Sequence, residues 1–181
     1  SRLTMGTFHS VFARILREYA PLLGYPKTFT IYDTTDSQNL IKRIIKERGL
    51  DEKAYKPKEV HSRISRAKNN LVSAAAYNAN PAIRANDDRR KMPLVGRIYL
   101  DYQRALLGNG AMDFDDILLN MNILFRDHPE ALEDIAGRFS YIMVDEYQDT
   151  NTAQFRLVGL LSSKYRNLCV VGDDDQSIYK F

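Results

Sequence analysis

The apolar positions of this chain recur mostly at helical spacing. Phe8, Val11, Phe12, Ile15, Leu16 and Tyr19 fall on one face of a helix, and Pro21 marks its end. Residues 28–32 are short and β-prone. Asp33 then offers an N-cap to a helix carrying Leu40, Ile41, Ile44 and Ile45, with Gly49 as its stop. Pro57 suits the first position of the next helix, whose face holds Val60, Ile64, Ala67 and Leu71, and residues 74–77 predict one further turn. Pro93 opens a helix in which Val95, Ile98, Tyr99, Tyr102 and Leu106 keep the period until Gly108 and Gly110 break it. Ile117, Leu118, Met121, Leu124 and Phe125 predict another helix that closes near Pro129, and a short one runs on to Gly137. The pattern then changes. Residues 141–144 and 168–171 are compact apolar runs of strand type separated by a helical stretch over 152–163, an order that predicts a βαβ unit.

Each of those apolar runs ends abruptly in polar residues, as VDEYQDTN at 144–151 and VVGDDDQSIYKF at 170–181. Open parallel sheets gather functional groups just beyond the carboxyl ends of their strands, so Asp145 and Glu146 should emerge beside Asp173 and Gln176 in one cleft. Successive residues leaving a strand point in different directions, which lets one carboxylate face a metal and its neighbour face a water. A capping or solvated pair explains a lone Asp-Glu dipeptide equally well. Asp173, Asp174 and Asp175 also raise a two-metal phosphohydrolase, but three adjacent carboxylates cannot all converge on one ion pair, and no histidine or distant acidic motif completes the set. Asp113, Asp115 and Asp116 read as helix-start acids that complement the N-terminal dipole.

The net charge of +3 conceals a division. Residues 42–104 hold 16 Lys and Arg against 7 Asp and Glu, whereas residues 111–181 hold 6 against 13. A basic middle can meet a polyanion by releasing counterions, and an acidic end can hold a divalent cation, although a solvated helical surface accounts for the same charges. No apolar run approaches the length of a membrane helix, no signal peptide is visible, and the use of a single cysteine fits a cytoplasmic, reducing setting. The single cysteine, Cys169, lies inside an apolar run and reads as a buried thiol.

Taken together, VDEYQDTN and VVGDDDQSIYKF resemble the second and third motifs of the UvrD/Rep/PcrA family of superfamily 1 DNA helicases. GTFHSVFARILR at 6–17 is similar to that family's DNA-contacting segment, and MDFDDIL at 112–118 to its return into the core; all four come in the family's order. The resemblance implies an α/β, mostly helical fold. A partial RecA-like parallel-sheet core of the P-loop NTPase type, at 1–22 and 111–181, would be interrupted by an all-α insertion subdomain at 23–110. It implies ATP and Mg²⁺ as cofactors, with Asp145 holding the metal, Glu146 positioning or deprotonating the attacking water, and Gln176 sensing the γ-phosphate. An amide suits that last task because it donates and accepts without changing charge.

The same resemblance implies single-stranded DNA and junctions of single- and double-stranded DNA as partners. Tyr179 and Phe181 match positions whose rings stack on bases, a sequence-tolerant grip; many relatives carry Trp where Phe181 stands. Thr7 and His9 fall where the family contacts the strand. Arg63, Arg66 and Lys68, in the densest basic stretch of the insertion, are candidates for phosphate contacts. Gln148 and Asp149 are candidates for bonding between core domains.

No GxxxxGK[ST] motif occurs in these 181 residues, and no Gly is followed by Lys. In the family that phosphate-cradling loop precedes the GTFHS segment. The expectation is therefore an internal piece of a helicase moving 3′ to 5′, inactive by itself. The rival is a non-catalytic DNA-binding or protein-interaction module on a degenerate core, which the joint presence of Asp145, Glu146 and Gln176 argues against.

Overall fold

The computed structural model describes residues 6–139, 142–145, 151–163, 168–171 and 178–180, with backbone alone for Val144, Asp145 and the later strand residues. Helix α1 (Phe8–Tyr19) starts at Thr7, whose hydroxyl oxygen accepts from Ser10 N, and passes into a 3₁₀ turn (Ala20–Leu23). Strand β1 (Thr30–Tyr32) leads to α2 (Thr34–Glu47), where Asp33 and Asp36 close a reciprocal capping box. Gly49, at φ 69°, lets the chain turn off α2 in the left-handed region.

Helices α3 (Pro57–Asn69), α4 (Ala74–Ala79), α5 (Pro81–Arg89) and α6 (Val95–Gly108) follow. Beyond them lie β2 (Ala111–Asp113), α7 (Phe114–Asp127), α8 (Pro129–Gly137), β3 (Ile142–Asp145), α9 (Thr152–Ser162), β4 (Leu168–Val171) and β5 (Ile178–Lys180). The architecture is α/β and mostly helical.

Two apolar cores organise it. Leu16, Phe29, Met112, Ile117, Met121, Leu124, Ile135 and Leu157 join α1, α7, α8 and α9 into the first. Ile41, Ile45, Val60, Ile64, Tyr77, Val95, Tyr99 and Tyr102 join α2, α3, α4 and α6 into the second, which forms a helical arm. The ladder β1–β2 is parallel, in register Thr30↔Ala111 to Tyr32↔Asp113, so the whole arm is the crossover between two neighbouring strands. Arg138 clamps α8 to α1 by donating to both carboxylate oxygens of Glu18, at 3.0 and 2.7 Å, and to Asp134 at 2.9 Å.

Strands β3 and β4 pair in parallel with α9 between them, as the βαβ reading requires, while β5 returns antiparallel to β4, which the periodicity did not foretell. Helix α5 was not foretold either. Ile83 is its only aliphatic residue larger than alanine, and the helix instead starts at the Asn80 side chain, which accepts from Ala82 N and Ile83 N. The helix expected from Pro93 begins two residues later, because Pro93 lies in a turn closed by Val95 N donating to Met92 O. Among the described residues no helix is long and apolar enough to cross a membrane.

Candidate functional site

The N-termini of α1 and α7 meet, and α3 packs against α7. His9, in the first turn of α1, lies against the ring of Phe114 with centroids 4.4 Å apart and planes tilted by 35°. Phe114 is the first residue of α7 and is 54% exposed, so a large aromatic face stands in solvent beside an imidazole. Thr7 is exposed two residues before His9. On α3, His61 and Ser65 lie near Asp115. Burial holds both His9 and His61 below the usual imidazole range, with Asp115 pulling in the opposite direction on each. The pair therefore offers neutral N–H donors at pH 7. Burial, reinforced by Asp113, raises the carboxyl of Asp115.

Beneath this surface lies a closed charge cluster. The Lys68 ammonium, fully buried, sits 2.6 Å from Asp113 Oδ2 and 2.9 Å from Asp116 Oδ1. Tyr102 donates to the same Asp113 oxygen at 2.8 Å, and its ring lies under the ammonium at 4.9 Å. Asp113 caps α7 by accepting from Asp116 N at 2.8 Å, while Asp116 Oδ2 accepts from Asp113 N at 3.1 Å. Gln103 donates to Asp116 Oδ1 at 3.1 Å, leaving its own Oε1 without a donor among the described residues. Burial works against the charge on Lys68, but the two carboxylates outweigh it and raise its pKa. Burial works against Asp113 too, yet Lys68 and Tyr102 hold that carboxyl low. Asp116 is pushed up to about 6, by burial first and by Asp113 second.

This arrangement corrects part of the expected basic patch. Lys68 points into the protein and is fully engaged, so no phosphate can reach it. Arg63 is largely covered as well: it donates to Asp87 at 2.8 Å and pairs with Glu59 at 3.5 Å. Asp87 is itself buried and also accepts from Tyr77 at 2.7 Å. Of the three, Arg66 alone is exposed. The helix-start reading of Asp113 and Asp116 holds, with the addition that both carry Lys68.

The C-terminal end of α3 reaches the last residue of VDEYQDTN and the residue after it. Asn151 Nδ2 donates to Asn69 Oδ1 at 3.1 Å, and Thr152 Oγ1 donates to Asn70 Oδ1 at 3.3 Å. Asp145 is the last residue of β3, at the carboxyl end of a strand paired in parallel with β4. Tyr179 lies in β5 and Cys169 in β4, as backbone. Glu146, Gln148, Asp149, Gln176 and Phe181 lie outside the described residues, as do Asp173, Asp174 and Asp175. Among the described residues no group of three His, Cys, Asp or Glu is arranged to hold a metal ion.

The sequence matches the UvrD/REP helicase N-terminal domain over residues 1–181. The chain belongs to this helicase family. It is 46% identical over 175 residues to the ATP-dependent DNA helicase PcrA of Staphylococcus aureus, and equally to the PcrA of Staphylococcus epidermidis. Each match takes in 97% of this chain and 23% of the relative, so the chain spans about a quarter of the length of these helicases.

In this UvrD/REP helicase domain the residues given no role by sequence reasoning are Phe114 and His61, and Asp115 was read only as a helix-start acid. Phe114 stood inside MDFDDIL between Asp113 and Asp115, with no role of its own. Its exposure depends on the capping box at Asp113, which sets the first turn of α7 and turns the ring outward. His61 carried no motif, and only the packing of α3 against α7 brings it near Asp115.

Proposed function

We propose that this chain is the strand-gripping, ATP-hydrolysing part of a DNA helicase that moves 3′ to 5′ along single strands. Membership of the UvrD/REP family supports the reading, and the observation that carries it is the His9–Phe114 pair: an exposed ring and a neutral imidazole set at two helix N-termini. An aromatic face stacks on any base, and helix N-termini with hydroxyl and imidazole donors suit phosphate and sugar. Thr7, His9 and Phe114 therefore grip the strand at one place, Tyr179 and Phe181 stack on bases at another, and Arg66 supplies a phosphate contact from the arm. Junctions of single- and double-stranded DNA are the substrate on which such a grip and arm act together, in a cytoplasmic setting.

For hydrolysis, Asp145 at the carboxyl end of β3 stands where open parallel sheets bind ligands, which fits a Mg²⁺-bound nucleotide. Mg²⁺, when bound, neutralises phosphate charge there. Asp145 would hold that ion, Glu146 would position or deprotonate the attacking water, and Gln176 would hydrogen-bond the terminal phosphate.

The test is ATP turnover by the complete protein, with and without single-stranded oligonucleotide, in wild type and Glu146→Gln. Stimulation by the oligonucleotide, abolished by the substitution, is the expected result. DNA binding without turnover in the wild type would falsify the motor reading and leave a binding module.

A further inference from the structure

Helix α3 packs against both α7 and the start of α9. Its middle turns place His61 and Ser65 near Asp115, next to the exposed Phe114. One turn further on, Lys68 grips Asp113 and Asp116 and so holds the first turn of α7. Its last residue, Asn69, accepts from Asn151, the residue that closes VDEYQDTN and caps α9.

The Asn151 side chain is used at both ends. Its Oδ1 accepts from Gln154 N at 3.0 Å as the cap, its Nδ2 donates to Asn69, and its backbone N donates to Gln154 Oε1 at 3.2 Å. Helix α9 does not need Asn69 in order to stand. Leu157 and Leu161 are buried in the core, and Asn122 donates to Ala153 O from α7. The Asn69 bond is the inner of two hydrogen bonds from the end of α3, the outer being the exposed Thr152–Asn70 bond, and it alone reaches the Asn151 cap.

Helix α3 also ends firmly. Asn70 donates back to Arg66 O at 2.9 Å, and Leu71, at φ 61°, turns the chain away. A helix of this kind, roughly 20 Å long, passes an axial or tilting displacement from one end to the other with little internal give.

We propose that α3 is the strut through which strand binding at the His9–Phe114 surface is felt at Asn151, the cap of α9, with Asn69 as the positioning residue at its far end. The inference rests on the reading of the chain as a DNA-stimulated ATPase. A base stacked on Phe114 loads the first turn of α7. Short charge-assisted bonds pass that load to Lys68, and Asn69 delivers it to Asn151, six positions after the metal-binding Asp145.

Only the acceptor oxygen of Asn69 is required, so Asn69→Asp preserves the link and Asn69→Leu removes it at similar size. In the complete protein, oligonucleotide-stimulated turnover of Asn69→Leu should fall about fivefold, as the loss of one positioning hydrogen bond implies. Its affinity for the same oligonucleotide, read by anisotropy, should stay at the wild-type value, and Asn69→Asp should restore turnover. Wild-type stimulation in Asn69→Leu overturns the proposal. So does an equal loss in both variants accompanied by a lower melting temperature, which marks a merely structural contact. A wild-type protein with no stimulated turnover overturns the functional reading, and the strut with it.

Discussion

Lys68 and Asp113 join the helical arm to the base of the protein: an ammonium from α3 and a carboxylate from the end of β2 meet at 2.6 Å with neither exposed to water. A buried pair broken on one side leaves an uncompensated charge, and here two carboxylates lose their only cation among the described residues. Lys68→Met should therefore destabilise the fold by about 3–5 kcal/mol, read as a lower urea midpoint. Adding Asp113→Asn and Asp116→Asn to Lys68→Met should recover part of that loss. Failure of the triple variant to improve on Lys68→Met would show that charge is not the cause.

The same cluster gives a pH dependence whose sign follows from Asp116. Its folded-state value of about 6 lies above the ordinary 3.8, so the folded chain keeps a proton that the unfolded chain has released. The stability this group contributes is fully present below the unfolded value and is lost as pH rises through about 6. Asp116→Asn fixes the neutral form, so its stability relative to wild type should increase between pH 5 and pH 7 in urea titrations. Parallel curves for the two proteins would sink the assignment.

Arg63 and Arg66 stand three residues apart on α3 and should behave as opposites. Arg63→Ala leaves Asp87 buried with Tyr77 as its remaining partner, so it should lower the melting temperature and leave the salt dependence of DNA binding unchanged. Arg66→Ala should do the reverse, reducing the salt slope by about one without touching stability. An unchanged slope in Arg66→Ala removes it from the phosphate contacts.

Phe114→Ala removes a ring that the fold does not bury, so thermal stability should change little. A stacked base is worth about 1–3 kcal/mol, and affinity for a single-stranded oligonucleotide should weaken by roughly 5- to 150-fold. Phe114→Trp should retain binding. Equal affinity in the alanine variant and wild type would mean that the strand passes elsewhere.

How much of this was legible in the sequence varies with the range of the interaction. Helices α2, α3 and α7 announced themselves through Asp33, Pro57 and a clear apolar face, because caps and periodicity act within a few residues. Helix α5 lacked that face and depends on contacts from outside it, since Asp87 is held by Arg63 and Tyr77. Strand β2 is three residues long and gains its identity only from Thr30–Tyr32, far back in the chain. Lys68 read as surface charge, although it follows Ile64 by four residues and so shares its buried stripe. Composition names a lysine but not the carboxylates waiting for it. The family was legible from the order of the motifs, whereas Phe114 required the capping geometry of α7 to reveal its exposed face.

The parallel β1–β2 ladder also fixes an order of events when the chain folds. Its two strands are separated in sequence by the entire arm, so Ile31 and Met112 cannot register cheaply until the intervening chain has shortened the distance between them. The helices of the arm share a local core and can gather first. Pairing then comes late, and Ile31→Val should speed unfolding while leaving the folding rate nearly untouched, in stopped-flow measurements. A chain whose arm fails to collapse loses the ladder as well, so misfolding of the arm disables the strand that leads into Asp113 and Phe114.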